Sequence, residues 1–424
     1  MTMKMGVCIV VDRVMKLRDY QIEGAKVAAD SILKYGIHYL AWGVRTGKTL
    51  TALQTAKELN CKNVLFLTKK KAMGSVQSDY DKFGYHNHYN MTVMNNESLH
   101  KLEDNDFDLI IMDEAHRLGG FPKPSKIAKD LRSRFSYKPF LFLSGTPSPE
   151  NYSQIYHQFW VSSRSPFAHY KNFYAWARDY VNITQKRIGM NMHNDYSNGK
   201  ENEIMADVSH LISTRTQEQS GFTSEIKEIV LYVKMKPITY KLCKELLADA
   251  VVEGNEEVIL ADTAAKMMQK LHQLYSGTVK FESENAAIID TSKAEFIKEK
   301  FKNKKLAILY IFKKELDLLC QVFGEDNLTS DIDEFNNTDK HYVGQVVSSR
   351  EGINLSKADY LIMYNIQHSA VSYFQARDRL TTIDRPKNDV FWIFSEGGIE
   401  EKIYKVVKSK KKYTTNIFKK DYNR

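Results

Sequence analysis

The segment Gly43-Val44-Arg45-Thr46-Gly47-Lys48-Thr49 carries the residue types that bind phosphate. It follows the apolar run Ile37 to Trp42 and leads into a stretch that places Leu50, Ala52, Leu53 and Ala56 on one helical face. Strand, loop and helix in that order let the backbone N–H groups around Gly43, Thr46 and Gly47, with the helix amino end, surround phosphate oxygens. Lys48 would neutralise charge on the β- and γ-phosphates, and the Thr49 hydroxyl would hold Mg²⁺. The glycine usual six residues before such a lysine is replaced by Trp42, with Gly43 one place later.

A second group of reactive types, Asp113-Glu114-Ala115-His116, closes the apolar run Leu109 to Met112. Such a run, entered through Asp106-Phe107-Asp108, reads as a parallel strand buried on both faces, and open α/β sheets bind ligands at the carboxyl ends of such strands. Alone, the four residues would read as a solvated acidic loop; the phosphate loop upstream is what gives two adjacent carboxylates a partner. Ser144-Gly145-Thr146-Pro147 follows another apolar run, Phe140 to Leu143, and puts small hydroxyl residues in a turn at the same edge.

These groups need elements to position them. Val64 to Leu67 completes a series of short apolar runs separated by helical or polar segments, which predicts a doubly wound parallel sheet. A helix is expected over 22–33. Asn151 to Tyr180 is aromatic-rich and reads as helical, whereas Val181 to Asn202 is polar and reads as a mobile loop or insertion. A further strand over 226–233, helices over 238–252 and 263–275, and strands over 306–312, 342–347, 360–364 and 390–394 predict a second α/β domain. The change-over lies within 215–235. In that domain Ser348 to Leu355 follows a strand, and Gln375-Ala376-Arg377-Asp378-Arg379 falls in a helix; arginines so presented commonly stabilise a transferring phosphoryl group.

The chain has 424 residues, 43% hydrophobic and 27% charged, enough for two or three globular domains. No apolar run is long enough to span a membrane, and 5–11 is too short for a signal peptide, so a cytoplasmic protein is expected. Cys8, Cys61, Cys243 and Cys320 lack metal or disulfide spacing, and His86-x-His88 lacks further ligands. Asp331-Asp333-Glu334 reads as a solvated loop. The net charge is +9, and from Lys402 to Arg424 eight Lys and one Arg face Asp421 alone. Interleaved with Tyr404, Tyr413 and Phe418, that run is equally a solvated helix face or a nucleic-acid contact.

Together these motifs resemble superfamily 2 helicases and translocases, most closely the SNF2-like branch in the compact form found in phages, over about residues 17–407. Leu17-Arg18-x-Tyr20-Gln21-x-x-Gly24 is similar to the family's adenine-recognition motif, with Gln21 the base contact and Tyr20 a further nucleotide-binding residue. Gly43 to Thr49 resembles motif I, with Arg45 standing where the family usually has glycine, so the loop's path is expected to differ. Asp113 to His116 resembles motif II; the resemblance implies that Asp113 holds Mg²⁺ and Glu114 activates the attacking water. Ser144 to Pro147 is similar to motif III, which would make Ser144 and Thr146 coupling residues. Lys69 and Lys70, with Asn95 and Asn96, occupy the places of the motifs that touch the sugar-phosphate backbone. Residues 210–216 look like the crossing between lobes, and Ser292-Lys293 like the approach to motif IV. Ser348 to Leu355 matches motif V, implying Ser349 and Arg350 as further backbone contacts and Gly352 near the nucleotide. Gln375 to Arg379 matches motif VI, implying Gln375 in coupling and Arg379 as the arginine finger. The family's second arginine is Thr382 here, leaving Arg377 and Arg385 as replacements.

The resemblance therefore implies two RecA-like α/β domains, 1–225 (with the polar insertion at about 181–202) and 226–424, with an ATP cleft between them. It implies a nucleic-acid-stimulated ATPase using ATP and Mg²⁺, moving 3′ to 5′ on DNA, duplex or branched, as a monomer and without a membrane partner. The remodelling of branched DNA is its finer form. An RNA helicase, or a regulatory clamp that binds ATP with little turnover, are the competing readings.

Overall fold

The computed structural model describes residues 16–422 except 105, 146, 149–150, 189–190, 222–224, 255–256, 347–354, 370–372, 374–376, 378–386 and 410–412. The chain divides into two compact units, Met1–Pro147 with Tyr152–Thr216, and Ser148–Asn151 with Gln217–Arg424. Each is α/β, a parallel sheet with helices between its strands.

The first unit is built on strands β1 (Ile37–Trp42), β2 (Asn63–Thr68), β3 (Asn90–Asn95), β4 (Leu109–Asp113) and β5 (Phe140–Leu143), joined by β8 (Ile212–Arg215). They form a six-stranded sheet in the order β3-β2-β4-β5-β1-β8, with every pair parallel. Residues 64–67, 109–112 and 140–143 are all buried, as the two-sided burial of such a sheet requires. Parallel pairing puts the carboxyl ends of all these strands at one edge. Helix α1 (Asp19–Tyr35) precedes β1, and α2 (Lys48–Glu58) follows the phosphate loop. Gly24 has no side chain because the Trp42 ring occupies that space; a Cβ there would lie 2.4 Å from it.

Residues 181–202 are not a loop. They contain an antiparallel hairpin, β6 (Thr184–Ile188) and β7 (Asn191–Asp195), and the start of the helix Glu201–Val208. Its strands went unread because residues 182–187 and 191–194 are exposed. A hairpin wet on both faces carries no apolar alternation for its period to show.

The second unit opens with β9 (Glu225–Val233) and two small hairpins, β10 (Val251–Glu253) with β11 (Val258–Leu260) and β12 (Thr278–Lys280) with β13 (Ala286–Ile288). Its main sheet adds β14 (Leu306–Tyr310), β15 (Leu328–Thr329), β16 (His341–Gln345), β17 (Tyr360–Met363) and β18 (Lys387–Ser395). The six strands are all parallel, in the order β15-β16-β14-β17-β18-β9. The helix expected over 238–252 runs only Pro237–Asp249, because Ala250 turns left-handed (φ 60°) and β10 begins at once. Thr263 caps the next helix, Ala264–Tyr275, by accepting from the Lys266 N–H at 3.2 Å. Asp331 is likewise a cap, of the helix Ile332–Asn337. The basic carboxyl-terminal segment is docked: Tyr413 and Phe418 are buried in the core with Ile403 and Val407, so these two rings anchor the segment and are closed to bases.

One buried ion pair ties that segment to the core. Lys293 Nζ lies 2.5 Å from Glu400 Oε1, and both side chains are fully buried. Desolvating two charges costs about as much as their attraction returns, but removing one strands the other. Lys293→Met is expected to lower unfolding stability by about 3–5 kcal/mol. Lys293→Met with Glu400→Leu should recover most of it, as read from urea midpoints. Equal losses in both variants would show that packing, and not the stranded carboxylate, sets the cost.

Candidate nucleotide-binding site

The phosphate loop leaves β1 at Trp42 and enters α2 through Gly47, whose φ of 84° is left-handed. A Cβ on Gly47 would also strike the Gln21 side chain at 2.0 Å, so this position requires glycine twice over. Arg45 is left-handed too, at φ 62°. The glycine-like backbone is thus kept with an arginine in it, a strain of about 1–2 kcal/mol. Thr46 is buried and its hydroxyl donates to Gly43 O at 2.9 Å, closing the loop on itself. The Lys48 ammonium donates to Trp42 O at 3.0 Å and Gly43 O at 2.8 Å. Burial lowers its pKa, opposed by the charges of Glu114 and Asp113. Thr49 follows in the first turn of α2.

Asp113 ends β4 beside β2, and Thr68 at the end of β2 donates its hydroxyl to Asp113 Oδ2 at 2.8 Å. The Glu114 N–H donates to Asp113 Oδ1 at 2.9 Å, and Glu114 itself is left-handed at φ 51°. That turn sends the two neighbouring carboxylates separate ways. Burial, then the charge of Glu114, raises the Asp113 pKa. Burial pushes Glu114 up as well, but the hydrogen bond and charge of His116, with Lys48 and Lys69, outweigh it and hold that carboxyl low. His116 Nδ1 lies 3.2 Å from Glu114 Oε2 and 3.1 Å from Ser144 Oγ, so one imidazole joins the acidic pair to the end of β5. Ser144 is buried. Gln158, fully buried, donates to Pro147 O at 2.7 Å and accepts from Tyr39 OH at 2.8 Å, fixing the turn after Ser144. Nothing in sequence pointed to Gln158.

The residues expected to bind the nucleotide from the adenine motif converge on the loop. Tyr20 OH donates to Thr46 O at 3.0 Å. Gln21 is buried and engaged at both ends of its amide, accepting from Arg18 N–H at 2.9 Å and donating to Gly47 O at 3.4 Å. Arg215, at the end of β8, was not expected here: its guanidinium lies 4.2 Å from the Tyr20 ring centroid.

Of the expected backbone-contacting residues, Lys69 and Lys70 follow β2, and Asn95 ends β3 opposite Thr68. Lys70 is exposed and Lys69 half-buried. Asn95 accepts from the Glu97 N–H at 3.4 Å, and Asn96 is 1% exposed, which leaves it no surface for a phosphate. Thr146, Ser349, Arg350, Gly352, Gln375 and Arg379 lie outside the described residues.

No family model matches the chain. The ISWI chromatin-remodeling complex ATPase ISW1 of Saccharomyces cerevisiae is 23% identical over 334 residues, which is 70% of this chain. The chain spans 28% of that relative's length. The SWI2/SNF2 ATPase core of Sulfolobus solfataricus, solved in complex with dsDNA, is 19% identical. That match covers 96% of this chain and 92% of the other, with a TM-score of 0.42. The likeness to this ATPase agrees with the resemblance that the motifs carry. The glycine-containing loop after β1 and the acidic pair at the end of β4 share one sheet edge, where β1 and β4 flank β5. Among the described residues no helix is long and apolar enough to cross a membrane.

Proposed function

We propose that the chain is an ATP-dependent DNA translocase whose ATPase is stimulated by nucleic acid. The observation that carries this is the placing of Lys48, after β1, and of Asp113 and Glu114, at the end of β4, at one edge of the same parallel sheet with β5 between them, the charges of both carboxylates acting on the lysine. A buried carboxyl raised by burial and by the charge of Glu114 beside it fits a divalent cation. Thr49 and Asp113 would hold Mg²⁺, which would supply positive charge against the charge developing on the phosphates. Lys48 would exchange the Trp42 and Gly43 carbonyls for phosphate oxygens. Glu114, oriented by His116, would accept the proton of the attacking water, and Arg379 would stabilise charge on the phosphoryl group. Ser144, through His116, would couple the state of the acidic pair to the segment that follows it.

A DNA track, gripped through the backbone by a monomer, is supported by the net charge of +9 and by Lys69, Lys70 and Asn95 at the nucleotide edge of the sheet. The ATPase of a chromatin-remodeling complex as a relative supports the same reading. ATPase rates measured in parallel with single-stranded, duplex and branched DNA and with RNA test it. Stimulation by RNA alone would overturn the DNA assignment, and no stimulation by any polymer would favour the clamp.

The finer reading is action on branched DNA, and the β6–β7 hairpin supports it. Isolated hairpins are marginal in water, yet this one is wet on both faces and exposes Met192 at 57%. Replacing 186–193 by a short turn is expected to leave ATPase stimulation by single-stranded DNA within about twofold and to abolish strand displacement at a fork. Equal loss of both activities would mean that the hairpin supports the fold only.

A further inference from the structure

The motif that resembles an adenine site leaves one face of the base unassigned. Tyr20 is held in place through its hydroxyl on Thr46 O, and its ring lies 6.1 Å from Trp42 at an interplanar angle of 54°. Gln21, the expected edge contact, has its amide engaged at both ends within the loop. What lies over Tyr20 is the guanidinium of Arg215, 4.2 Å from its centroid and 5.8 Å from that of Trp42.

Arg215 has two attachments of different kinds. Its carbonyl accepts from the Gly43 N–H at 2.8 Å, so its backbone is part of the phosphate loop's support. Its side chain is held less firmly: Nε is buried without a hydrogen-bond partner among the described residues. A planar cation resting on a phenol ring occupies the position that a planar base would take, and guanidinium groups also stack well on purines. Arg215 is moreover the penultimate residue of the first unit, since the second begins at Gln217.

We propose that Arg215 is a purine-binding residue: the base of ATP enters between the Tyr20 ring and the Arg215 guanidinium, which closes over it as the second wall. This rests on the ATP reading above. Opening the stack for a base moves the Arg215 side chain at the end of β8, while its carbonyl keeps hold of Gly43. The base and the phosphate loop are thereby sensed by the same residue.

The test compares ligands with and without a base. Binding of ATP, CTP and inorganic tripolyphosphate, each with Mg²⁺, is measured by calorimetry on the full chain, for wild type, Arg215→Ala and Arg215→Lys. Arg215→Ala is expected to weaken ATP about tenfold, to leave tripolyphosphate unchanged and to reduce the preference for ATP over CTP. Arg215→Lys, which keeps the charge but not the plane, should fall between. Equal weakening of ATP and tripolyphosphate would overturn the proposal, because Arg215 would then act only by supporting Gly43. Unchanged ATP binding in Arg215→Ala would also overturn it. A wild-type chain that binds tripolyphosphate but not ATP, or neither, would overturn the ATP reading itself.

Discussion

Glu114→Gln is expected to lower nucleic-acid-stimulated ATPase turnover by about 10²–10⁴-fold, the usual contribution of a positioned general base. ATP affinity should change little. The reasons are local. Glu114 leaves β4 in a left-handed turn, so its carboxylate departs from that of Asp113 and meets His116. Burial raises its pKa, but the hydrogen bond and charge of His116, with Lys48 and Lys69, outweigh that and hold the carboxyl low, in the ionised form a general base requires. Glutamine keeps the shape and can still meet His116, so the loop and its Lys48 should be undisturbed. Lys48→Ala makes the contrasting case. It removes the ammonium expected on the β- and γ-phosphates, so affinity should fall together with turnover. Single-turnover hydrolysis and equilibrium binding of ATP separate the two. A Glu114→Gln protein that hydrolyses ATP within threefold of wild type would remove Glu114 from the chemistry.

The parts of this site that could be read from the chain are those whose physics is local. Strands buried on both faces appear as unbroken apolar runs, and β2, β4 and β5 enclose the expected runs within a residue or two. The loop between β1 and α2 was legible as a strand–loop–helix turn because Gly47, Lys48 and Thr49 follow one another directly after an apolar strand. Residues brought in by the sheet were not legible. Arg215 reaches Tyr20 because β8 is laid beside β1, with Arg215 opposite Trp42, and no spacing in the sequence encodes that neighbour. Gln158 and the Lys293–Glu400 pair are hidden for the same reason. The hairpin of β6 and β7 was missed for the opposite one, since a solvent-bathed pair of strands has no buried side to mark its period. Trp42, which looked like a departure from the usual glycine, is accommodated at Gly24 and donates its indole N–H to Ser213 at 3.2 Å.

Arg379→Ala is expected to lower stimulated ATPase turnover by about 10³–10⁵-fold, the range over which an arginine finger acts. Thr382 replaces the second arginine, so the loss at Arg379 should not be shared. Of the two replacements considered, Arg377 is already committed. Its Nη1 lies 3.4 Å from Glu228 Oε1 on β9. The other oxygen of Glu228 accepts from Trp392 Nε1 at 3.0 Å and from the hydroxyls of Tyr404, at 3.3 Å, and Tyr373. With Tyr373 stacked on Trp392 at 5.1 Å, this carboxylate gathers three segments of the second unit around itself. An arginine so placed holds its own domain together. Arg377→Ala should therefore reduce thermal stability and leave turnover per folded molecule within a few-fold, whereas any replacement for Thr382 falls to Arg385. Turnover and melting temperature measured on Arg377→Ala, Arg379→Ala and Arg385→Ala distinguish the roles. A stable Arg377→Ala protein with turnover as low as Arg379→Ala would place Arg377 at the phosphate after all. Undiminished turnover in both Arg379→Ala and Arg385→Ala would mean that hydrolysis here draws on the first unit's residues alone.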